Sequence, residues 1–378
     1  FGGPNLYVDY QPQTIVQNAE FGEASWQFTP ALKGTVGLRH YHYSLAQTNE
    51  EYGVFTVIGN GTTQAYNTAF SNGASGTDPK FDLSLQAAPN VLLYATAAKG
   101  FRLGGVNQPI PVALPPNPNG ALTGNECGLQ QKVLLIPASQ CFIGPQAGLL
   151  LQAPASYSSD SVWNYEIGEK SELLDKHLIL NVSGYYERWS NPQLATNLAG
   201  FGITANGGNA RIYGLEAEMQ ALLSQEWTLA LNAGYTNAEF TQSSSITGFP
   251  SGYNVPDIPD FTASANLRWK HPVTTNLSLI GALEGDYVGT RTDAPYGQTV
   301  SLLNINTYLI HLPAYGLLNA RLGLAADRWT ATVYVNNLTN KQALLDPQPQ
   351  IDLQSVAFVR YLVNRPLTAG LDLTFRFQ

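Results

Sequence analysis

From Leu367 to the end of the chain, apolar and polar residues alternate without a break. Leu367, Ala369, Leu371, Leu373, Phe375 and Phe377 fall on one side of an extended backbone; Thr368, Gly370, Asp372, Thr374, Arg376 and Gln378 fall on the other. A helix would scatter both sets around its axis, so a period of two argues for a two-faced strand. The pattern recurs at 261–270, where Phe261, Ala263, Ala265, Leu267 and Trp269 oppose Thr262, Ser264, Asn266, Arg268 and Lys270. It recurs again at 229–236, 277–287 and 329–336. Charges sit in the middle of these polar faces, so one side of each strand meets water.

A soluble sandwich would share that alternation, but three features weigh against it. The alternating segments run roughly 10–15 residues, longer than the ~5–6 usual in soluble sheets and long enough for the ~9–11 that cross a bilayer at a tilt. Connections alternate in length. The short ones are 29–32, 89–90, 173–176, 223–226, 271–276 and 326–328; the long ones are 49–77, 103–158, 191–207, 241–257, 292–312 and 338–365. That is the asymmetry of outer-membrane barrels. Aromatics also sort to both ends. Trp26, Phe28, Trp227, Trp269 and Trp329 stand by the short turns, and Tyr41, Tyr43, Phe101, Trp163, Tyr165, Tyr186, Tyr235 and Tyr287 toward the long loops.

Composition agrees. Only 12% of residues are charged against 44% hydrophobic and 11% aromatic, with 35 Gly and 20 Tyr. A soluble surface carries about 25% charge, yet no apolar run approaches the ~18 residues of a spanning helix. The net charge of −8 without a basic cluster argues against nucleic-acid binding, and the apolar content argues against disorder. Thirteen strands are expected, at 15–28, 33–47, 79–88, 91–102, 159–171, 177–189, 208–222, 227–240, 259–270, 277–290, 313–325, 329–337 and 366–377. The fold class is therefore all-β, a partial antiparallel transmembrane β-barrel of about 13–14 strands, forming one domain over 1–378. Single-chain barrels use even strand numbers. The odd count, with Phe1 first and Met219 the sole methionine, gives the expectation that the chain is processed or lacks its beginning.

Five stretches carry a family resemblance: 94–107 (YATAAKGFRLGGVN), 164–173 (NYEIGEKSEL), 212–217 (IYGLEA), 333–341 (VYVNNLTNK) and 365–378 (RPLTAGLDLTFRFQ). In order and spacing they resemble the barrel of a TonB-dependent outer-membrane receptor, over nearly the whole chain. The resemblance implies a barrel of about 22 strands with a plugged lumen; the family's plug and early strands have no counterpart in this sequence. It implies TonB-energised uptake of a bulky scarce solute, a ferric siderophore first among them. It also implies a Gram-negative outer-membrane location and, as partners, membrane lipid, the TonB coupling protein reached through the plug, the barrel-assembly machinery and a ferric chelate bound by a monomer. Thr368, Gly370, Leu373 and Phe375 resemble the family's assembly signal; a plain amphipathic last strand is the other reading.

Candidate ligand contacts are expected in the loops, where rigid scaffolds place binding groups: Phe101, Arg102, Asn107, Tyr253 and Tyr296, of which the aromatics and the Arg could grip a chelate. Ordinary loop packing is the alternative for each. Cys127 and Cys141, with thirteen residues between them in the longest loop, are expected to close a small disulfide loop in an oxidising compartment. The histidines at 40, 42, 177, 271 and 311 are scattered and give no metal site; no cofactor is implied. No GxSxG elbow, HExxH or phosphate loop marks an enzyme. Carboxylates on the polar face (Glu23, Asp82, Glu166, Glu187, Glu216, Glu218, Glu284, Asp286, Asp372) face a wet or plugged lumen, with Arg39, Lys80, Lys170, Arg268, Lys270, Arg321 and Arg376 as partners. A passive porin, an outer-membrane lipase or protease, and a soluble sandwich or β-helix adhesin are the rival readings.

Overall fold

The computed structural model describes residues 8–52, 66–107, 154–198, 201–244, 249–293, 310–351 and 356–377. Its body is one antiparallel sheet of fourteen strands. Thirteen long strands follow one another in chain order: β1 (Gln13–Gln27), β2 (Leu32–Tyr52), β3 (Tyr66–Ala88), β4 (Val91–Arg102), β5 (Asp160–Leu173), β6 (Leu178–Ser190), β7 (Asn209–Leu222), β8 (Trp227–Phe240), β9 (Phe261–Thr274), β10 (Leu277–Val288), β11 (Tyr315–Ala326), β12 (Trp329–Asn336) and β13 (Thr368–Phe375). The short strand Val8–Tyr10 continues the first edge by pairing with Glu50–Tyr52. Among the described residues there is no helix, and β1 and β13 do not pair with each other. The sheet is therefore an open wall with two edges.

The apolar face of that wall has no cover. Val36, Leu38, Ile167, Leu215, Leu322, Val333, Leu371 and Leu373 are all more than half exposed. Large apolar side chains stay in that state only against something other than water, and hydrocarbon meets the need. The membrane alternation expected from sequence is thus present strand by strand.

On the polar face a second regularity holds the strands together. Tyr41, Tyr94, Tyr185 and Tyr334 each lie directly across from a glycine on the next strand: Gly76, Gly168, Gly214 and Gly370. A Cβ built on any of these glycines would collide with the tyrosine ring. The missing side chain lets a large ring lie flat on the neighbouring backbone, a cross-strand contact only glycine permits. Gly370 of the proposed assembly run is one of them.

Several sequence expectations need correction. The third strand starts at Tyr66, not 79, and β2 continues to Tyr52, so most of the expected 49–77 loop is a paired stalk in register from Glu51↔Tyr66 to Leu32↔Leu85. The run 66–78 reads as turns because of its Asn-Gly and Ser-Gly steps, yet its backbone is fully paired. The turn expected at 271–276 shrinks, because β9 runs to Thr274, with a register irregularity between Pro272 and Thr274. Four long connections contain antiparallel strand pairs: Gln193–Leu198 with Phe201–Asn206, Leu344–Ile351 with Val356–Val363, Arg291–Thr292 with His311–Leu312, and Gly105–Val106 with Ser156–Tyr157. Tyr41 and Tyr43 do not belong to an interfacial belt. Both are buried on the polar face, because the stalk folds the loop stems over them.

The motif at 333–341 also has a structural cause. Asn337 and Asn340 adopt left-handed backbones, with φ of 52° and 50°, which Asn tolerates better than most residues. The Asn337 amide donates to Lys341 O (2.9 Å) and Arg365 O (3.0 Å) and accepts from Lys341 N (2.9 Å). Asn340 accepts from Leu367 N at 3.0 Å. The turn that leaves β12 is thereby tied to the chain re-entering at β13.

Candidate functional site

All the long connections leave from one end of the wall, where their stems are braced into a platform. Its centre is Asp160, the first residue of β5, whose side chain is 1% exposed. Arg102 ends β4 directly opposite. Its guanidinium forms an ion pair with Asp160 and donates from Nε to both carboxylate oxygens at 3.1 and 3.0 Å. Trp189 Nε1 (2.9 Å) and Gln193 N (3.1 Å) donate to the same carboxylate. Four donors compensate the burial of one charge, as a desolvated carboxylate requires. The Gln193 amide then holds Leu103 O and Ser158 O. Both stems of the β4–β5 connection and the start of the β6–β7 connection are thus locked together.

Asn107 extends the brace. Its Nδ2 donates to Pro154 O (2.7 Å) and Thr204 O (2.8 Å), and its Oδ1 accepts from Thr204 N (2.8 Å). Asn72 donates to Gly105 O and Tyr157 O, both at 2.8 Å. The Tyr43 hydroxyl meets Ser159 Oγ at 2.8 Å and accepts from Gly104 N at 2.8 Å. Phe101 lies flat on Tyr41, with ring centroids 3.4 Å apart, and the Arg39 guanidinium stands 5.6 Å from its ring.

Tyr253 belongs to the other half of the platform. It is half-buried against a small apolar core of Leu194, Ala210, Ala238, Phe240, Phe249 and Val255. Trp189 joins the halves: its ring packs on that core, its indole N–H holds Asp160, and the Arg102 guanidinium lies 5.1 Å from the ring. Four of the five expected loop residues thus sit on one continuous platform. Arg102 keeps 53% of its side chain exposed, whereas every polar atom of the Asn107 amide is used within the brace. Tyr296, Cys127 and Cys141 lie outside the described residues.

Sequence reading missed Asp160, Gln193, Trp189 and Asn72. Asp160 had a signal: an acidic residue opening a strand that pairs with one ending in Arg. Nothing local marked the other three, because their roles depend on loop segments folding back.

Lower on the polar face is a cavity of about 630 Å³ lined by Tyr94, Glu166, Lys170, Asn181, Glu216 and Glu218, among others. Tyr94 donates to Glu166 (2.5 Å), Asn181 to Glu218 (3.1 Å), and Asn266 to Glu284 (3.1 Å) further round the wall. Lys80 pairs with Asp82 at 2.8 Å. The cavity lining contains no His or Cys, and among the described residues no three metal-ligating side chains gather. The arrangement gathers carboxylates on the polar face and ties Glu166, Glu218 and Glu284 each to a neutral donor.

Comparison with known proteins agrees with this geometry. The family model described as "TonB dependent receptor-like, beta-barrel" matches residues 1–338. The pesticin receptor of Yersinia enterocolitica (strain NCTC 13174 / 8081) is 25% identical over 210 residues, covering 53% of this chain and 27% of the relative. The ferrichrome outer membrane transporter/phage receptor of Escherichia coli (strain K12) is 27% identical over 181 residues, 47% of this chain and 22% of the relative. The ferric yersiniabactin uptake receptor FyuA from Yersinia pestis superposes with a TM-score of 0.70 at 17% identity, over 98% of this chain and 47% of that one. The chain thus spans about half the length of that solved relative, and its matches cover about a quarter of the curated ones.

Proposed function

Since this chain belongs to the TonB dependent receptor-like β-barrel family, we propose that it forms the larger part of the wall of a receptor importing a ferric siderophore or a similarly bulky chelate, energised through TonB. Proteins of this family reside in the Gram-negative outer membrane. The observation that carries the reading is the platform around Asp160, which fixes two long connections on a rigid wall at one end only. Binding loops need such an anchor. The half-exposed Arg102 guanidinium beside Trp189, with Phe101, Tyr253 and Tyr296, would supply cationic and aromatic contacts to an anionic ferric chelate. Asn107 would set the loop that presents them. The chain would form a single domain over 1–378, part of one barrel, and the plug and remaining strands would come from the rest of the receptor. TonB would act through that plug, the assembly machinery would read the run from Thr368 through Gly370 and Leu373 to Phe375, and the receptor would work as a monomer. Cys127 and Cys141 would close a disulfide in the longest loop.

The test is uptake of radiolabelled iron by cells whose only outer-membrane receptor contains this chain, with ferric siderophores of the catecholate, hydroxamate and phenolate classes. Uptake of at least one class that stops when TonB is removed is expected. Uptake indifferent to TonB, together with open ion-conducting pores in planar bilayers, would assign a passive porin instead.

A further inference from the structure

A row of side chains on the apolar face, at the loop end, is not explained by chelate uptake. Trp163, Arg188, Arg211 and Glu239 stand side by side on β5, β6, β7 and β8 as direct cross-strand partners. Each shares a face with the lipid-exposed residues of its own strand: Arg188 with Val182 and Tyr186, Arg211 with Tyr213 and Leu215. Two arginines directly opposite one another repel, and like charges in that position weaken a strand pair. Arg211 is neutralised by Glu239 at 2.6 Å. Arg188 has no carboxylate partner among the described residues, so the row carries one uncompensated positive charge facing outward.

One rung further into the membrane come Tyr165, Tyr186 and Tyr213, again direct partners. Below them lie Ile167, Gly184 and Leu215. Each rung is two residues, roughly 7 Å, from the next. The order from loop end to mid-membrane is therefore cation, tyrosine, aliphatic, which matches phosphate, interface and acyl chain in a lipid leaflet. Gly184 removes a side chain from the aliphatic rung. It lies in an apolar groove of about 1020 Å³ that also takes in Val36, Leu83, Ala97, Ile167 and Leu215.

We propose that this face binds one phosphate-bearing lipid of the outer leaflet, its phosphate held by Arg188 and Arg211 and an acyl chain laid in the groove over Gly184. The charge match decides the occupant: a lipid without phosphate would fill the groove but leave Arg188 uncompensated, whereas a phosphate can accept from Arg188 and from the neighbouring Arg211 at once. The proposal rests on the outer-membrane location and not on the transported solute.

The test uses the receptor purified in detergent and read by native mass spectrometry against diphosphorylated lipid A, the same lipid stripped of phosphate, and inorganic phosphate. The phosphorylated lipid is expected to bind about tenfold tighter than the stripped form. Arg188→Gln should abolish that preference, Arg188→Lys should restore part of it, and Gly184→Leu should weaken both lipids equally. Arg321→Gln, on the polar face, should change nothing. All variants are first checked for the heat-modifiable gel shift of a folded barrel, and Arg188→Lys keeps the comparison valid should Arg188→Gln misfold. Equal binding of the two lipids, or no effect of Arg188→Gln in folded protein, would overturn the proposal. Full displacement by inorganic phosphate would overturn it too, as the mark of a free-anion site.

Discussion

Tyr41 and Phe101 lie two strands apart in the sheet, yet their rings stack with centroids 3.4 Å apart and planes within 6°. Between them on β3 is Gly76, directly opposite Tyr41, where any Cβ would strike the ring. The absent side chain is what allows the tyrosine to reach across β3 and fix the end of β4, from which the longest loop departs.

Gly76→Ala should therefore push Tyr41 off Phe101. A loss of about 1–3 kcal/mol is expected from forced repacking. A double-mutant cycle on Tyr41→Ala and Phe101→Ala should give a coupling of about 0.5–1.5 kcal/mol, measured by denaturant unfolding in lipid vesicles. Additive effects of the two alanines would show that the stack does not stabilise the wall.

Asp160 makes a second prediction. Asp160→Ala leaves Arg102, Trp189 Nε1 and Gln193 N without their shared acceptor. Breaking a fully buried pair costs about 3–5 kcal/mol; because Arg102 is half exposed and can be rehydrated, about 1–3 kcal/mol is expected here. The effect should be local. Amide exchange at Gly105, Val106 and Gln193 should rise, while the β9–β12 amides keep their protection.

The turn after β12 supplies a third. Asn337→Ala loses three hydrogen bonds and places Ala at φ of 52°; Asn337→Gly loses the bonds alone. Thermal unfolding should show Ala destabilising by about 1–3 kcal/mol and Gly by less. Equal effects would mean the backbone conformation contributes nothing.

At the short-turn end, Glu226 accepts from His271 Nδ1 (2.8 Å) and Trp269 Nε1 (3.1 Å). The His271 and Trp269 hydrogen bonds hold its carboxyl below the usual carboxylate range. A folded-state value lowered in this way stabilises above the unfolded value, near pH 4.3, and that contribution fades as pH falls through the folded value. Acid should therefore loosen the 223–226 turn below about pH 4, and Glu226→Gln should remove that pH dependence from amide exchange at Trp227.

The wall was legible in the sequence because a period of two has one simple solution when both faces meet different solvents. Leu371 and Asp372 declare their sides without knowledge of any partner. The stalk from Tyr66 to Asp78 was not legible, since its glycines and asparagines mimic turns and only register with β2 reveals pairing. The platform was half legible. Arg102 and Tyr253 stood out by type, but Asp160 gained its meaning from a partner 58 residues away, and Trp189 from joining a core to a carboxylate. Long-range closure of loop stems leaves no local periodicity to read.

The central claim is that alternate residues of one strand face hydrocarbon and a wet interior. Spin labels placed singly from Trp329 to Asn336, in protein with Cys127 and Cys141 replaced by serine, test it most directly through collision with oxygen and with a water-soluble nickel chelate. Labels at Ala331, Val333 and Val335 should favour oxygen, and those at Thr330, Thr332 and Tyr334 the nickel chelate, with a period of two throughout. Uniform protection from both reagents at the apolar positions would place them inside a protein core and contradict the account.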